Sequence, residues 1–171
     1  MLQVDKSVLE ANIEGLRCRL TPLGLQHTEL VVGWRNNPEN AKWFLGGHVI
    51  TAEGHTSWFN RQAATCNNFN WVIELKEGKP VGMVSLYDAN FVAGTAEFGR
   101  LLIGDSSVVG RGFGMEATQL VLSAAKKANF QQVYLFVKSM NARAINIYER
   151  IGFDRVKEVD DLIEMRIVIQ K

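Results

Sequence analysis

The chain is poor in every feature that would hand it a ready-made explanation. Its 171 residues include two cysteines, Cys18 and Cys66, too few for a disulfide framework and at no metal-ligand spacing. Histidine occurs three times and forms no ligand cluster, so no metal is proposed. No apolar run approaches the ~20 residues of a membrane helix. The start lacks a basic segment leading into an apolar core, so no signal peptide is expected and a reducing cytoplasm fits best. Charge of neither sign dominates: 19 Lys and Arg against 18 Asp and Glu leave +1, which makes neither nucleic acid nor an anionic membrane an expected partner. There is no repeat, low-complexity tract or linker.

What is present is an ordinary soluble composition, 47% hydrophobic and 22% charged, on a length suited to one domain, 1–171, with 1–14 as an N-terminal extension. The extension carries Val8, Leu9, Asn12 and Ile13 at loosely helical spacing. Residues 16–20 alternate Leu, Arg, Cys, Arg, Leu, the period of a half-buried strand, which Thr21-Pro22 should end. Short helices are expected over 25–35, over 39–45 and from Thr51, stopped by Asn36-Asn37-Pro38, Gly46-Gly47 and Cys66-Asn67-Asn68. Strands are expected over 70–75 and 80–88 around a Lys76-Glu77-Gly78-Lys79 turn, then over 95–103. A helix over 112–128, a strand over 133–137, a helix from Asn141 to Arg150 capped by Gly152, and strands over 155–158 and 162–169 complete the chain. That order predicts an α+β, or mixed α/β, fold.

The chain is organised around Val108-Val-Gly-Arg-Gly-Phe-Gly-Met-Glu-Ala-Thr118. An apolar strand precedes it, and Ala117, Leu120, Val121, Ala124, Ala125 and Ala128 recur after it on one helical face. Gly110, Gly112 and Gly114 allow tight turning and expose backbone N–H groups. A helix starting there adds unpaired N–H groups and a positive dipole end, the makings of a phosphate site. Glycines at this spacing also serve as a plain strand-to-helix connection. A Walker loop would end in Gly-Lys-Ser/Thr, where this one has Gly114-Met115-Glu116. A dinucleotide fingerprint would carry an acidic residue roughly 20 residues on, where Gln131-Gln132 stand.

The loop Gly110-Arg-Gly-Phe-Gly114, followed by Asn141-x-x-Ala144-x-x-x-Tyr148-x-x-x-Gly152-Phe153, resembles the acetyl-CoA motif and C-terminal helix of the GCN5-related N-acetyltransferase (GNAT) superfamily. The resemblance covers roughly residues 15–170. One departure is Val109, where the family often has Gln or Arg; Arg111 would serve the phosphates instead. The resemblance implies a mostly antiparallel twisted sheet of about seven strands with a splayed parallel pair at its centre. It implies acetyl-CoA as co-substrate, its pyrophosphate on the amides around Gly110, Arg111, Gly112, Phe113, Gly114 and Met115. The pantetheine arm would pair with the strand end at Leu102 and Ile103 and meet Asn141, which also suits a helix N-cap.

The same resemblance implies Tyr148 as the general acid that protonates the departing thiolate; on an apolar helix face a tyrosine also serves as core. The amine must lose a proton to attack, and Glu97 is the candidate base, or a water relay in its place. His48 and His55 are expected to be structural or superficial, although His55 lies in the acceptor region. That region, Trp34-Arg35-Asn36-Asn37-Pro38 and His55-Thr-Ser-Trp58-Phe59, is similar to the branch that acetylates nucleotide-linked amino sugars. Trp34, Arg35, His55 and Trp58 would then contact a small-molecule amine acceptor, most simply a nucleotide-linked 4-amino sugar, with Arg35 or Arg100 on a phosphate. Packing of the aromatics on the sheet is the alternative for each of them. The branch also holds acetylases of ribosomal-protein N-termini and of polyamines, and a non-catalytic acyl-CoA-binding module is the reading from another class. A homodimer is left open.

Overall fold

A computed structural model describes residues 3–169. Short elements come first: α1 (Ser7–Glu10), β1 (Ile13–Glu14), β2 (Cys18–Pro22), α2 (Thr28–Asn36), α3 (Pro38–Ala41) and α4 (Ala52–Thr65). Then β3 (Phe69–Leu75), β4 (Pro80–Asn90) and β5 (Thr95–Ile103) form an antiparallel run. The last part is α5 (Phe113–Lys127), β6 (Gln132–Lys138), α6 (Ala142–Ile151), β7 (Asp154–Val159) and β8 (Leu162–Val168). The eight strands make one sheet in the order β1-β2-β3-β4-β5-β6-β8-β7. The strand beyond the expected seven is the two-residue β1, too short to leave a period in the sequence.

Helices cover both faces. Phe113, Ala117, Val121 and Ala125 of α5 and Ile145 and Tyr148 of α6 join Trp71, Ile73, Ala96, Phe98, Val133 and Leu135 of the sheet in the larger core. On the other face Val72, Met83 and Leu102 pack with Val31 of α2, flanked by Trp34, Phe44, Trp58 and Phe59. Adjacent residues such as Trp71 and Val72 thus enter different cores, as strand alternation requires.

Two local expectations are corrected, and a third, a short leading helix or a frayed extension over 1–14, is made definite. The strand placed at 16–20 begins only at Cys18 and runs through Thr21 to Pro22, because pairing with β3 reaches Pro22↔Trp71; Leu16 is 88% exposed. The helix expected over 39–45 is the single turn of α3, whose N-cap Asn37 accepts from the Glu39 amide. The leading segment contributes only α1 before β1, and Leu9 alone of α1 is buried; residues 1 and 2 lie outside the described residues. By contrast Thr51 caps α4 by accepting from the Gly54 amide, and Gly152 closes α6 in left-handed backbone at φ 117°.

Two irregularities in β5 position everything that follows. Parallel pairing with β6 lasts three residues, Thr95↔Gln132, Ala96↔Val133 and Glu97↔Tyr134, after which β5 and β6 part while β6 stays paired with β8, on its other edge, along its whole length. From Phe98 onward the β6-facing edge of β5 is therefore left without a partner strand. On the opposite edge Ser85 faces Gly99 but Met83 faces Leu102, so Arg100 and Leu101 oppose Val84 alone. Arg100 absorbs this bulge in left-handed backbone, φ 54°.

Candidate active site

The glycine loop turns through left-handed backbone at Gly110 (φ 81°) and Gly112 (φ 87°), conformations that a side chain would strain. The amides of Gly112, Phe113, Gly114 and Met115 find no backbone acceptor among the described residues. They face outward from the start of the 15-residue α5, with its positive end behind them. Arginines ring this cradle. Arg111 is exposed on the loop, and Arg143 of α6 brings Nη2 to 3.6 Å from where a Cβ on Gly110 would sit. Arg17, just before β2, lies across the loop: Nη1 donates to the Arg111 carbonyl at 2.8 Å and Nε to Glu116 at 3.1 Å.

The free edge of β5 runs beside the starts of α5 and α6: a Cβ on Gly114 would meet Leu101 and Ile147 at 3.8 Å and Ile103 at 3.9 Å, so these four residues flank a candidate slot along that edge. Asn141 caps α6 by accepting from the Ala144 amide at 3.2 Å, which engages only its oxygen and leaves its NH2 to donate. Apolar walls, a row of unpaired backbone groups and a basic mouth suit a thin polar-jointed chain ending in phosphates, the form of coenzyme A.

Tyr148 stands at the fork of the strands. Its ring meets Phe98, the first β5 residue past the pairing with β6, edge-on at 5.9 Å, and Phe153 at 5.8 Å. Burial pushes its phenol pKa up, so the group stays protonated and has a proton to give. The same burial makes it part of the core, a position compatible with donating a proton.

On the opposite face Glu97 occupies the last rung before the fork, between Tyr87 of β4 and Tyr134 of β6. Tyr87 donates to its Oε1 at 2.7 Å. Burial raises the Glu97 pKa against the lowering effect of that bond. A carboxylate of raised proton affinity is suited to accept a proton from an amine at moderate pH. The bulge brings Arg100 to this face, its guanidinium 3.8 Å over the Tyr87 ring and 5.1 Å from the Trp58 ring. It donates to Asn70 at 3.1 Å and reaches Gln62 at 3.4 Å.

Beyond Arg100 lies Arg35, stacked 3.9 Å over Phe44, its pKa lowered by burial and by the Arg100 charge. Neither arginine forms an ion pair among the described residues. His55 is 5% exposed, its Nδ1 3.3 Å from the Thr28 hydroxyl and its Nε2 without a partner. Burial and then Arg35 lower its pKa, keeping it neutral. Its ring lies 5.3 Å from that of Trp58. Of the acceptor residues expected from sequence, Arg35, His55 and Trp58 converge with Arg100. Trp34 packs instead against the backbone of Gly104 at the end of β5. His48 is exposed and touches only the Gly46 carbonyl.

Sequence reading missed Tyr87, Arg17 and Arg143. Tyr87 was within reach, because folding the hairpin about residues 91–94 sets it opposite Glu97. Nothing local points to Arg17, whose partner Glu116 is 99 residues away. Among the described residues no group of three His, Cys, Asp or Glu could hold a metal, and no helix is long and apolar enough to cross a membrane.

Comparison with known proteins agrees with this geometry. The family model described as an acetyltransferase (GNAT) domain matches residues 17–154. An uncharacterised protein of Methanocaldococcus jannaschii is 29% identical over 134 residues, 76% of this chain; the chain spans 26% of that protein's length. A probable acetyltransferase of the GNAT family from Chromobacterium violaceum superimposes with a TM-score of 0.85 at 16% identity, covering 99% of this chain and 91% of that one. The spermidine N-acetyltransferase of Vibrio cholerae, solved with CoA and spermine, gives 0.79 at 20% identity over 89% and 95% of the two chains.

Proposed function

The chain belongs to the GNAT acetyltransferase family, with acetyl-CoA as co-substrate, and on that premise we propose that it acetylates the amine of a nucleotide-linked amino sugar. The observation that carries the acceptor is the pair of half-buried arginines, Arg35 and Arg100, neither in a direct ion pair among the described residues, in the wall beyond Glu97; Glu97 and Asp88 act on Arg100 without touching it. Two guanidinium groups with no carboxylate in direct contact, beside a buried neutral imidazole, favour a ligand that brings negative charge, and a phosphate takes them bidentately. They disfavour a polycation. Trp58 adds flat surface for a sugar or base.

The chemistry follows from the two sides of the fork. The acceptor enters as an ammonium, which Glu97 deprotonates, directly or through a water. The freed amine attacks the thioester carbonyl of acetyl-CoA lying in the slot along β5. The tetrahedral adduct collapses with cleavage of the C–S bond as Tyr148 gives its proton to the sulfur; the proton that the former amine nitrogen then sheds on becoming the amide restores the Tyr148 phenol through solvent. The products are an N-acetyl amide and CoA, formed in one ternary complex.

The test is an acceptor screen with acetyl-CoA, following thiol release, over nucleotide amino sugars, the corresponding free amino sugars, polyamines and peptide N-termini. The nucleotide-linked amine should be fastest, with the free sugar losing kcat as well as affinity because remote binding energy positions the amine. Arg35→Ala should weaken the nucleotide-linked acceptor at least tenfold while acetyl-CoA affinity stays unchanged. Faster turnover of a polyamine or peptide than of every nucleotide amino sugar would overturn the acceptor.

A further inference from the structure

The coenzyme cradle contains a carboxylate. Glu116 lies in the first turn of α5, immediately after the four free amides, where a negative charge opposes the phosphates those amides would hold. Its position is not accidental, because Oε1 accepts from the backbone amides of Arg17 at 2.8 Å and Cys18 at 3.2 Å, tying the start of β2 to α5. Burial works to raise its pKa, yet these bonds and the Arg17 guanidinium hold it below the ordinary value, so it is ionised. The fold therefore uses as a brace a group that is electrostatically wrong for the site.

Arg17 is the counterweight. Its Nε meets Glu116 Oε2 at 3.1 Å, its Nη1 holds the Arg111 carbonyl at 2.8 Å, and its plane lies 4.7 Å from the Phe113 ring. Its Nη2 is 3.0 Å from where a Cβ on Gly112 would be, at the rim of the cradle. Among the described residues the hydrogen bonds, ion pair and ring contact of this side chain are all with the loop or the first turn of α5. A guanidinium can do this because its donors fan out in one plane, one edge on the carboxylate and another on the carbonyl. Holding the Arg111 carbonyl toward β2 also keeps that oxygen, a second repulsive group, out of the cradle.

We propose that Arg17 is a coenzyme-positioning residue, which makes the glycine loop competent for the pyrophosphate of acetyl-CoA by neutralising Glu116 and turning the Arg111 carbonyl away. The inference rests on acetyl-CoA as co-substrate and is independent of the acceptor. Its electrostatic part is separable from its bracing part. Arg17→Ala exposes the Glu116 charge to the phosphates; Glu116→Gln keeps an oxygen for the Arg17 and Cys18 amides and removes that charge.

The experiment compares acetyl-CoA with S-acetylpantetheine, which has the same thioester and arm but no phosphate, in steady-state kinetics on one amine acceptor. Arg17→Ala should raise KM for acetyl-CoA on the order of tenfold with kcat little changed, and leave kcat/KM for S-acetylpantetheine within twofold. Arg17→Lys, which keeps the charge, should recover most of the loss. The double variant Arg17→Ala/Glu116→Gln should bind acetyl-CoA more tightly than Arg17→Ala alone, read as the dissociation constant by calorimetry. An unchanged KM in Arg17→Ala, an equal loss with both thioesters, or a double variant no better than the single would each overturn the proposal. Failure of wild-type enzyme to use acetyl-CoA with any amine would instead remove the family reading on which it stands.

Discussion

Tyr87 and Glu97 face each other directly across the β4–β5 ladder, and the phenol donates a 2.7 Å hydrogen bond to the carboxylate. The geometry has a local cause. A Cβ on Gly99 would come within 2.7 Å of the Tyr87 oxygen, so the ring fits only because the next outward position of β5 is glycine. The other face of that ring carries the Arg100 guanidinium at 3.8 Å. One aromatic side chain thus links the proposed base to the arginines of the acceptor wall. The titratable groups facing Glu97 are Tyr87 and Asp88 from β4, Arg100 from its own strand and Tyr134 from β6.

Because Tyr87 donates to the ionised form, Tyr87→Phe should raise the proton affinity of Glu97 further, adding to the effect of burial. The acid limb of the kcat/KM–pH profile should move to higher pH, and activity below neutrality should fall most. An acid limb in the same place as the wild type would detach Tyr87 from the base. Glu97→Gln, assayed alongside, should flatten that limb and lower kcat about a hundredfold or more if Glu97 accepts the proton.

Tyr148→Phe removes the proton donor while keeping the ring contacts with Phe98 and Phe153. When chemistry limits turnover, kcat should fall about a hundredfold to ten-thousandfold, with acetyl-CoA affinity nearly unchanged. Normal turnover in that variant would leave Tyr148 a core residue only.

Gly112→Ala should damage the cradle in two ways. It strains the backbone at φ 87° by roughly 1–2 kcal/mol, and it places a methyl 3.0 Å from Arg17 Nη2. Acetyl-CoA affinity by calorimetry should drop at least tenfold, and Gly112→Asp, which adds charge beside the phosphates, should abolish binding. Gly114→Ala is the informative contrast. Its Cβ would make only ordinary contacts at 3.8–3.9 Å with the slot walls, so the fold should tolerate it while the arm of the coenzyme loses room.

The buried imidazole of His55 has its pKa lowered in the folded state, so the unfolded chain binds more protons as pH falls. Its contribution is complete above the unfolded value of ~6.5 and is lost as pH drops below it, at up to about 1.4 kcal/mol per pH unit. Stability measured by denaturant unfolding between pH 7 and 5 should therefore fall less steeply in His55→Gln than in the wild type. Parallel slopes in the two proteins would show that His55 does not titrate with unfolding.

Much of this protein is settled by its sequence, and for identifiable reasons. The hydrophobic periods of the α5 and α6 regions, the turn chemistry of Lys76–Lys79 and the caps Thr51, Asn141 and Gly152 are local, so they survive without knowledge of the partners. Positive φ at Gly110 and Gly112 follows from residue type together with a strand-to-helix turn. The spacing from that loop to Asn141 and Tyr148 carries the coenzyme half of the proposed site, since the loop and helix would supply its groups nearly in isolation. Where tertiary pairing competes with local signals, the signals mislead: Thr21-Pro22 looks like an end, but pairing with β3 carries the strand through it.

Which side chains meet in the proposed acceptor half was decided by tertiary structure. Strict alternation along β5 would send Glu97 and Arg100 to opposite faces, and only the bulge opposite Val84 puts both on the acceptor side. Likewise the fork after Glu97 depends on β6 parting from β5 while it stays paired with β8, as at Lys138↔Leu162, and that register is set by strands from distant parts of the sequence. Arg17 and Glu116 are a still clearer case, because each looks like an unremarkable surface charge until β2 and α5 come together. Sequence specifies the groups that act through their own local backbone; the fold specifies which side chains from distant segments share a face, because that depends on register, bulges and strand order.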